Sequence, residues 1–370
     1  MKKREGTWRI AHSEASLGWG GQEHRVLAEL RGFQNRGSQV WLLAPRESRV
    51  FERAGSASIP AIHLPPGRLR YPFEMVRLAL WLRKHRIQIL NTHSSRDGWL
   101  LGMAGRLARV PLIIRTRHID VTYPNRGLSR HAFTTFADHI LTTSQKIRAH
   151  FQEIFHLPDD RISVVPTGID PQLFSPVGSK AELPFEKSPG LPVVGMVSVL
   201  RSWKGHATFI EAARLLVKEG FAARYLIVGD GPGRERIHHQ IADLSAANQM
   251  KCLGHREDVP EILRSLSVLI IPSTRHEGIP QIGLQALATK TPVIGSDVGG
   301  IPEIIRPGET GRIFPAENAQ ALAAAIRETL FEKDATAKMT ETGRKLVESR
   351  HSLEAMLDEL DGIYRRWLPA

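Results

Sequence analysis

The order of elements in residues 268–303 limits the possible folds most strongly, because one pattern occurs there twice. A short apolar, β-branched run at 268–271 has the length of a buried strand, and Pro280 suits the first turn of the helix that follows. A second apolar run at 293–296 leads through a glycine-rich loop into another helix. This repeated order predicts an α/β fold with parallel sheets, whose ligands bind beyond the carboxyl ends of the strands.

The same alternation fills most of the chain on both sides of a segment rich in Pro, Ser and Gly, which is typical of a linker. With 370 residues the chain is long enough for two domains of ordinary size. We therefore predict a first domain at 1–175, a linker at 176–191, a second domain at 192–350 and a C-terminal helix at 351–370.

Composition narrows the class of protein. The chain is 42% hydrophobic, has no run of 18 apolar residues, and begins with a basic segment that lacks the apolar stretch of a secretory signal. Its one cysteine, Cys252, cannot form an internal disulfide, and we expect it to be a buried structural thiol. These features predict a cytoplasmic protein.

Positive charge is concentrated in the first predicted domain. Lys and Arg outnumber Asp and Glu by 26 to 14 in residues 1–170, and the two kinds of charge balance in the remainder, so this half carries the formal net charge of +12. The asymmetry favours an anionic partner for the first domain over a merely solvated basic surface. The candidates are an anionic acceptor, an acidic membrane surface and nucleic acid.

Two polar side chains follow the predicted strand at 268–271. Glu277 lies in the loop after the strand, and Gln285 lies on the helix, roughly 12 Å further on if the segment between them were helical throughout. Their setting, EGIPQIGLQALA at 277–288, resembles the signature of the family-4 retaining glycosyltransferases with the GT-B fold. That signature has a Glu, seven residues and a second Glu, which Gln285 replaces here.

The resemblance implies roles for this loop and helix. In the family the first Glu lies near the transferred sugar, so Glu277 is the expected catalytic residue, and Gly278, Ile279 and Pro280 belong to the expected donor-binding loop. The second Glu of the family binds the ribose hydroxyls of the donor nucleotide. Gln285 is expected in that role because an amide both donates and accepts hydrogen bonds.

Four more motifs of the second domain are similar to those of the family. In RSWKG, Arg201 and Lys204 match the Arg and Lys that bind the donor diphosphate, where a cationic pair offsets the charge of the leaving nucleotide and counts as catalytic. The loop GDGPG is expected near the nucleotide, the segment HREDVPEIL near the base, and the loop DVGGIPE near a phosphate that its backbone can approach. The donor-binding residues of these three segments are Gly229, Gly231, His255, Arg256, Gly299 and Gly300.

The first domain contributes further candidates at the ends of its predicted strands. Gly20 and Gly21 precede a helix, and they form either a tight turn or the glycine-rich loop that the family places across from the donor diphosphate. His118 is also expected to be catalytic, because it matches in position a His that many family members place by the donor sugar. A neutral imidazole there could donate to a hydroxyl or stabilise developing charge. The candidates for acceptor contacts are His93, Arg96, Arg115 and Arg117.

The resemblance implies a GT-B fold, with two Rossmann-like domains facing across a cleft and a last helix that returns to the first domain. The implied reaction is retaining transfer of a sugar from a nucleotide-diphosphate sugar, with UDP or GDP expected, and without a cofactor or metal. The acceptor is expected to be an anionic glycan or lipid-linked molecule of lipopolysaccharide or other envelope polysaccharide biosynthesis. The expected location is the cytoplasm, with peripheral contact at the inner face of an anionic membrane.

Three other functions fit parts of the sequence. A nucleotide-sugar epimerase could share the GT-B fold, and the replacement at Gln285 fits a degenerate protein that binds a nucleotide sugar without turnover. A nucleic-acid binder would explain the isoelectric point near 10.1, but the sequence has neither zinc-finger spacing nor an aromatic RNA-recognition motif. We therefore expect no nucleic-acid partner.

Overall fold

The computed structural model describes residues 7–65, 71–121, 125, 127–185, 190–242 and 249–368. The chain forms two compact units, of which the first comprises Met1–Gly168 and Leu353–Ala370 and the second comprises Ile169–Ser352. Part of the predicted linker, 186–189, and the last two residues of the predicted C-terminal helix lie outside the described residues.

The first unit contains a sheet of 7 parallel strands in the order β3-β2-β1-β4-β5-β6-β7. In chain order the strands are β1 Arg9–Ser13, β2 Gln39–Ala44, β3 Ala61–His63, β4 Ile89–Thr92, β5 Leu112–Arg117, β6 His139–Thr142 and β7 Ile162–Val164. The helices between them are α1 Gly21–Asn35, α2 Arg49–Ser56, α3 Tyr71–Lys84, α4 Ser95–Ala108, α5 Gly127–Thr134 and α6 Gln145–Phe155.

Both faces of this sheet are buried, as its β-branched strands require. Ile10 and Ile89 belong to one apolar core, whereas their neighbours Ala11 and Leu90 belong to another on the opposite face. Because side chains alternate along a strand, these short apolar runs supply both cores at once.

The second unit contains a sheet of 6 parallel strands in the order β10-β9-β8-β11-β12-β13. The strands are β8 Val193–Val197, β9 Arg224–Val228, β10 Met250–Cys252, β11 Val268–Ile271, β12 Val293–Ser296 and β13 Arg312–Phe314. The helices are α7 His206–Lys218, α8 Arg234–Ala242, α9 Val259–Ser265, α10 Gln281–Ala288, α11 Ile301–Ile304, α12 Ala319–Phe331 and α13 Lys333–Arg350. The two βα units predicted from residues 268–303 are therefore β11–α10 and β12–α11.

The last helix, α14 Leu353–Trp367, belongs to the first unit, as the family resemblance predicts. Its apolar stripe packs against α1 in the same core as Ile10, and it consists of Met356, Leu357, Leu360, Ile363 and Tyr364. Gly32 of α1 leaves room for this contact, because a Cβ at that position would lie 2.3 Å from Cδ1 of Leu357.

The boundary between the units falls earlier than the predicted end of the first domain at residue 175. Residues 169–174 belong to the second unit because the N–H of Ile169 donates to the carbonyl of His351, at 2.8 Å, and Arg344 donates to the carbonyl of Phe174, at 2.9 Å.

Cys252 is half-buried rather than fully buried, which corrects the expectation for this thiol. It lies on β10, an edge strand of the second sheet, where only one neighbouring strand covers it. Within the described residues no helix is both long enough and apolar enough to cross a bilayer.

Candidate active site

The site predicted in the second unit lies where the strand order of its sheet reverses. β8 has β9 on one side and β11 on the other, and loops that diverge from such a point leave a crevice at the carboxyl edge. The loop after β8 ends in a short 3₁₀ turn, Ser202–Lys204, and the loop after β11 leads to α10. These two loops carry Lys204 and Glu277.

An ion pair joins two of the four predicted catalytic side chains, Lys204 and Glu277. Lys204 Nζ donates to Oε1 of Glu277, and the hydroxyl of Ser273 donates to the same oxygen at 2.6 Å. The side chain of Glu277 is only 7% exposed and that of Lys204 is 24% exposed. The carboxylate is thus held in one place by two donors while the edge of the ion pair remains open to solvent.

Backbone contacts hold the surrounding loops together. The N–H of Thr274 donates to the carbonyl of Trp203 at 2.8 Å, and the hydroxyl of Ser296, at the end of β12, donates to the carbonyl of Ser273 at 2.6 Å. Gly205 has φ +75, and a Cβ there would lie 1.7 Å from the carbonyl oxygen of Pro272. The three loops after β8, β11 and β12 therefore form one interlocked group.

The predicted phosphate loop packs directly on the loop that carries Glu277. Gly299 has φ +60, and a Cβ there would lie 2.1 Å from the carbonyl oxygen of Glu277, while a Cβ at Gly300 would lie 2.8 Å from the carbonyl of Gly278. Both glycines are required by this contact between backbones. Their expected approach to a phosphate stays a prediction.

Arg201 is exposed beside an open pocket. Its guanidinium lies 5.1 Å from the ring of Trp203, which is within the range of a cation–π contact. The pocket has a volume of about 340 Å³. Its lining is Leu200, Arg201, Ser202, Trp203, Pro232, Gly233 and Arg236.

The remaining donor-side candidates lie on neighbouring loops of the same unit. Gly229 and Gly231 follow β9, where their backbones pack against Ser198 and Leu200. Ile279 is buried, and Pro280 is the residue before α10. Gln285 lies half-buried in the middle of that helix.

The predicted base-side residues follow β10. Arg256 Nε donates to Oδ1 of Asp258 at 2.7 Å, and this hydrogen bond holds the pKa of Asp258 below its usual value. His255 is exposed. The pair with Asp258 fixes the turn before α9, so Arg256 has a structural contact in addition to its predicted role.

In the first unit the predicted His118 is part of a row of histidines. Its Nε2 lies 2.8 Å from Nδ1 of His93, and Nε2 of His93 lies 3.0 Å from Nδ1 of His12. These residues belong to three adjacent strands or the loops directly after them, at the point where the order of the first sheet reverses. His93 is buried, so it contacts His118 rather than forming part of an open surface.

Two arginines predicted on the acceptor side are buried. Arg115 is 2% exposed and lies 4.1 Å from the ring of Phe133, and Arg117 is 4% exposed and donates to the carbonyl of His93. Burial lowers the pKa of Arg115 to about 10 and that of Arg117 to about 9. These contacts support a structural role, and acceptor binding by the two arginines stays a prediction.

The other first-unit candidates lie at helix starts. Gly20 precedes α1, and its N–H donates to Oε2 of Glu23 at 2.9 Å, while Gly21 is the first helical residue. Arg96 lies in the first turn of α4 and is exposed. None of the hydrogen bonds described above joins these helix starts to His118 or to the buried arginines.

The sequence analysis missed several polar residues around these candidates. Ser273 follows the apolar strand β11, and His12 interrupts the apolar strand β1, which is the signal that could have revealed them. Glu14 follows β1 as well, and burial, with the negative charges of Asp97 and Glu23, raises its pKa to about 8. A carboxyl group that remains protonated near neutral pH is typical of a functional or strained position.

Comparison with known families gives two matches that follow one another along the chain. Residues 19–173 match the family described as Glycosyltransferase Family 4, and residues 180–346 match the family described as Glycosyl transferases group 1. A curated relative is the UDP-Gal:alpha-D-GlcNAc-diphosphoundecaprenol alpha-1,3-galactosyltransferase of Escherichia coli, with 30% identity over 61% of this chain and 62% of its own length. The chain thus spans less than two thirds of that relative.

Solved structures show the same fold over nearly the whole chain. A glycosyltransferase from Rickettsia africae has a TM-score of 0.86 and 22% identity, with 98% of this chain and 99% of that one covered. The Anabaena protein Alr3699/HepE in complex with UDP-glucose has a TM-score of 0.80 and 18% identity, with 95% and 98% covered. The predicted GT-B fold is therefore confirmed.

Proposed function

Because both matched parts of the chain belong to glycosyltransferase families, we propose that the protein transfers a sugar from a nucleotide-diphosphate sugar, with retention at the anomeric carbon. The observation that carries the proposal is the ion pair between Lys204 and Glu277 at the reversal point of the second sheet. It places a cation, which stabilises a departing diphosphate, next to a carboxylate, which favours positive charge on the sugar.

Each side chain has a distinct task in the proposed reaction. Arg201 and Lys204 bind the diphosphate and stabilise the charge that develops as it leaves, while Glu277 positions the sugar and favours positive charge at its anomeric carbon. His118 contacts the sugar. Gln285 binds the ribose hydroxyls of the donor.

The bond changes follow from these tasks. The bond between the anomeric carbon and the diphosphate oxygen breaks, and the acceptor oxygen bonds to that carbon on the same face. The acceptor proton passes to the departing phosphate oxygen. Because Arg201 and Lys204 supply positive charge at the diphosphate, we propose that the reaction requires no metal and no cofactor.

A thermal-shift series tests donor binding directly. A ligand that binds only the folded protein raises the melting temperature, so UDP, GDP, ADP and CMP and their sugars are compared with and without divalent metal. We expect a metal-independent shift with one nucleoside diphosphate, and UDP is the first choice because a structural neighbour binds UDP-glucose. The matching nucleoside without phosphates is the control, and it should give a much smaller shift.

Turnover distinguishes the transferase from its alternatives. A coupled assay that detects nucleotide release only with acceptor present, together with an α-configured product from an α-configured donor by NMR, supports retaining transfer. A change in the sugar without acceptor would instead support an epimerase. Binding without turnover in the natural chain, with turnover restored by Gln285→Glu, would support a degenerate transferase.

We also propose an anionic or lipid-linked acceptor of envelope polysaccharide synthesis at the inner face of a membrane. The name of the Escherichia coli relative describes a diphosphoundecaprenol-linked acceptor, and the first half of this chain carries the net positive charge. On α3, Phe73, Val76 and Leu80 are 80%, 47% and 62% exposed and share one helical face, with Arg83 and Lys84 in the last turn. An apolar face next to basic residues is typical of helices that lie in a membrane surface.

Vesicle sedimentation tests this location. We expect binding to vesicles that contain anionic lipid, weaker binding at high salt, and loss of binding in the double variant Phe73→Ser and Leu80→Ser. The matched control is Leu107→Ser, because Leu107 is also exposed, at 51%, but lies on α4. Equal binding to neutral vesicles, or full binding by the double variant, would contradict the proposal.

A further inference from the structure

Four side chains form a continuous row inside the first unit. Glu29 of α1 faces His12 of β1, with Oε2 and Nδ1 3.7 Å apart. His12 contacts His93, and His93 contacts His118, at the distances of 3.0 and 2.8 Å given above. Glu29 and His12 are fully buried, His93 is 1% exposed and His118 is half-buried, so the row leads from the core towards the surface.

The three histidines are neutral near pH 7. Desolvation lowers the pKa of His12 to about 4, and it holds the pKa of His93 and of His118 well below the usual value, with the positive charges of Arg25 and Arg117 adding to the effect. A neutral imidazole donates from one nitrogen and accepts at the other. In a hydrogen-bonded row, the tautomer of one ring therefore determines the tautomer of the next.

Glu29 determines the direction of the row. Arg25 Nε donates to Oε1 of Glu29 at 2.6 Å, which leaves Oε2 without a hydrogen bond among the described residues and next to Nδ1 of His12. A negative oxygen at this position favours a proton on Nδ1. The reverse tautomer would place the proton on Nε2 of His12, which is buried and has no acceptor in the described part of the protein.

The consequences pass along the row. With its proton on Nδ1, His12 donates to Nε2 of His93, so the proton of His93 must lie on its Nδ1 and be donated to Nε2 of His118. His118 then carries its own proton on Nδ1. We propose that Glu29, His12 and His93 are positioning residues that hold His118 as the Nδ1–H tautomer, which presents a donor at the nitrogen that His93 does not occupy.

The same atoms could be considered as metal ligands, since Glu29, His12 and His93 each offer one atom within 4.8 Å of the others. Two nitrogens bound to a tetrahedral zinc ion at 2.0–2.1 Å would lie about 3.3 Å apart. The observed 3.0 Å between His12 and His93 is the length of a direct hydrogen bond. The guanidinium of Arg25, which occupies the other oxygen of Glu29, also repels a dication.

The consequence for catalysis rests on the proposed contact of His118 with the transferred sugar. A neutral Nδ1–H can donate to a sugar hydroxyl at any pH near 7, whereas the other tautomer would present a lone pair to that hydroxyl. The row thus makes His118 a donor of fixed direction without giving it a positive charge beside the anomeric carbon.

The experiment compares His12→Leu with His12→Asn in the full chain. The amide nitrogen of Asn can donate to His93, as Nδ1 of His12 does, and its second hydrogen can face Glu29, whereas Leu removes the donor. Long-range ¹H–¹⁵N spectra of protein labelled in the histidine rings report which nitrogen carries each proton, and the His118→Gln spectrum identifies the His118 signals. The matched control is His139→Leu, because His139 is a buried histidine of the same unit that contacts Ser163 instead.

We expect the Nδ1–H form of His118 in the natural protein, in His12→Asn and in the control. In His12→Leu we expect a mixture of tautomers and a fall in kcat of about tenfold with little change in KM, as when a supporting hydrogen bond to a catalytic group is lost. Thermal melts of each variant serve as the control for folding.

Three results would overturn the relay: an Nε2–H tautomer of His118 in the natural protein, equal kcat losses in His12→Leu and His12→Asn with unchanged tautomers, or one stoichiometric zinc ion that is lost in His12→Leu. If His118→Gln kept full kcat while the tautomers changed as expected, the proposed sugar contact would fail and the relay itself would remain. Failure of donor transfer in the natural chain is detected separately by the turnover assay.

Discussion

At the scale of single residues, the site of the second unit is organised around one carboxylate. Glu277 is held by Lys204 and by Ser273, and its loop is held by the backbone of Gly299. Groups fixed in this way need little reorganisation when charge develops nearby, which is the main source of electrostatic catalysis. Motif spacing predicted Glu277 and Lys204. Ser273 was marked only by its position after an apolar strand, and its contact with Glu277 depends on how the loop turns.

Lys204→Ala tests this arrangement. We expect kcat/KM to fall about a hundredfold, because the cation that stabilises the leaving diphosphate is lost. Stability should fall by about 1 kcal/mol or less, since Lys204 is partly exposed and Ser273 still donates to Glu277. Steady-state kinetics and thermal melts measure the two effects.

Lys290→Ala is the matched control for Lys204→Ala. Lys290 forms an ion pair with Glu341 on an exposed part of the same unit, so its removal deletes a comparable surface pair without touching the site. Kinetics should remain at the natural level. Similar kinetics in both variants would show that Lys204 has no catalytic role.

At the scale of elements, the sequence predicts helices and strands better than it predicts which of them pack together. The βα order predicted from residues 268–303 is confirmed by β11–α10 and β12–α11. Periodicity also predicts α14, whose buried residues recur with helical spacing. The sequence of α14 does not predict that it packs against α1, since an apolar stripe does not specify which helix it will contact.

Leu357→Ala tests the packing of α14 on α1. Leu357 is fully buried against Gly32, and removal of its side chain should cost about 2–5 kcal/mol of stability in the first unit. Hydrogen exchange followed by mass spectrometry should show faster exchange in α1 and α14 and unchanged exchange in β8 and β11.

The control for Leu357→Ala is Leu107→Ala, which removes an exposed leucine of the same unit. Its exchange rates should match those of the natural protein. If Leu357→Ala accelerated exchange in the second unit as much as in the first, α14 would be stabilising the chain by another route.

At the scale of the whole molecule, buried titratable groups set the dependence of stability on pH. Burial lowers the pKa of two separate histidines in each unit to about 4. They are His12 and His139 in the first unit and His206 and His351 in the second. Below pH 6.5 the unfolded chain binds protons that the folded chain does not, so stability is lost as pH falls towards 4. Each group contributes about 2 kcal/mol between pH 6.5 and 5.

Glu14 acts on the alkaline side. Its raised pKa of about 8 means that, between pH 4.5 and 8, the folded chain retains a proton that the unfolded chain releases, so stability falls as pH rises through this range. Below pH 6.5 the four histidines outweigh this opposing effect. The two effects balance near pH 7. Above pH 7 Glu14 prevails, and we expect maximal stability near pH 7 with a loss of less than about 1 kcal/mol by pH 8.

Melting temperatures from pH 5 to 8.5 test this expectation, with Glu14→Gln as the matched variant. Glutamine imitates the protonated acid, so the alkaline loss should disappear in Glu14→Gln. The gain in stability from pH 5 to 7 should become larger in this variant, because the opposing effect of Glu14 is gone. A persistent alkaline loss in that variant would assign the effect to another group.

The sequence by itself determined the α/β class, the parallel order of strand and helix, and most of the donor-side candidates, because these depend on periodicity and on motifs confined to single loops. Only the tertiary structure decided which residues meet: Lys204 and Ser273 at Glu277, α14 on α1, and His12, His93 and His118 in one row. It also decided that Arg115 and Arg117 are buried, although both stand among the basic residues that give the first half its charge. Composition and spacing describe one stretch of chain at a time, whereas burial and ion pairing depend on strands far apart in sequence that lie side by side in a sheet.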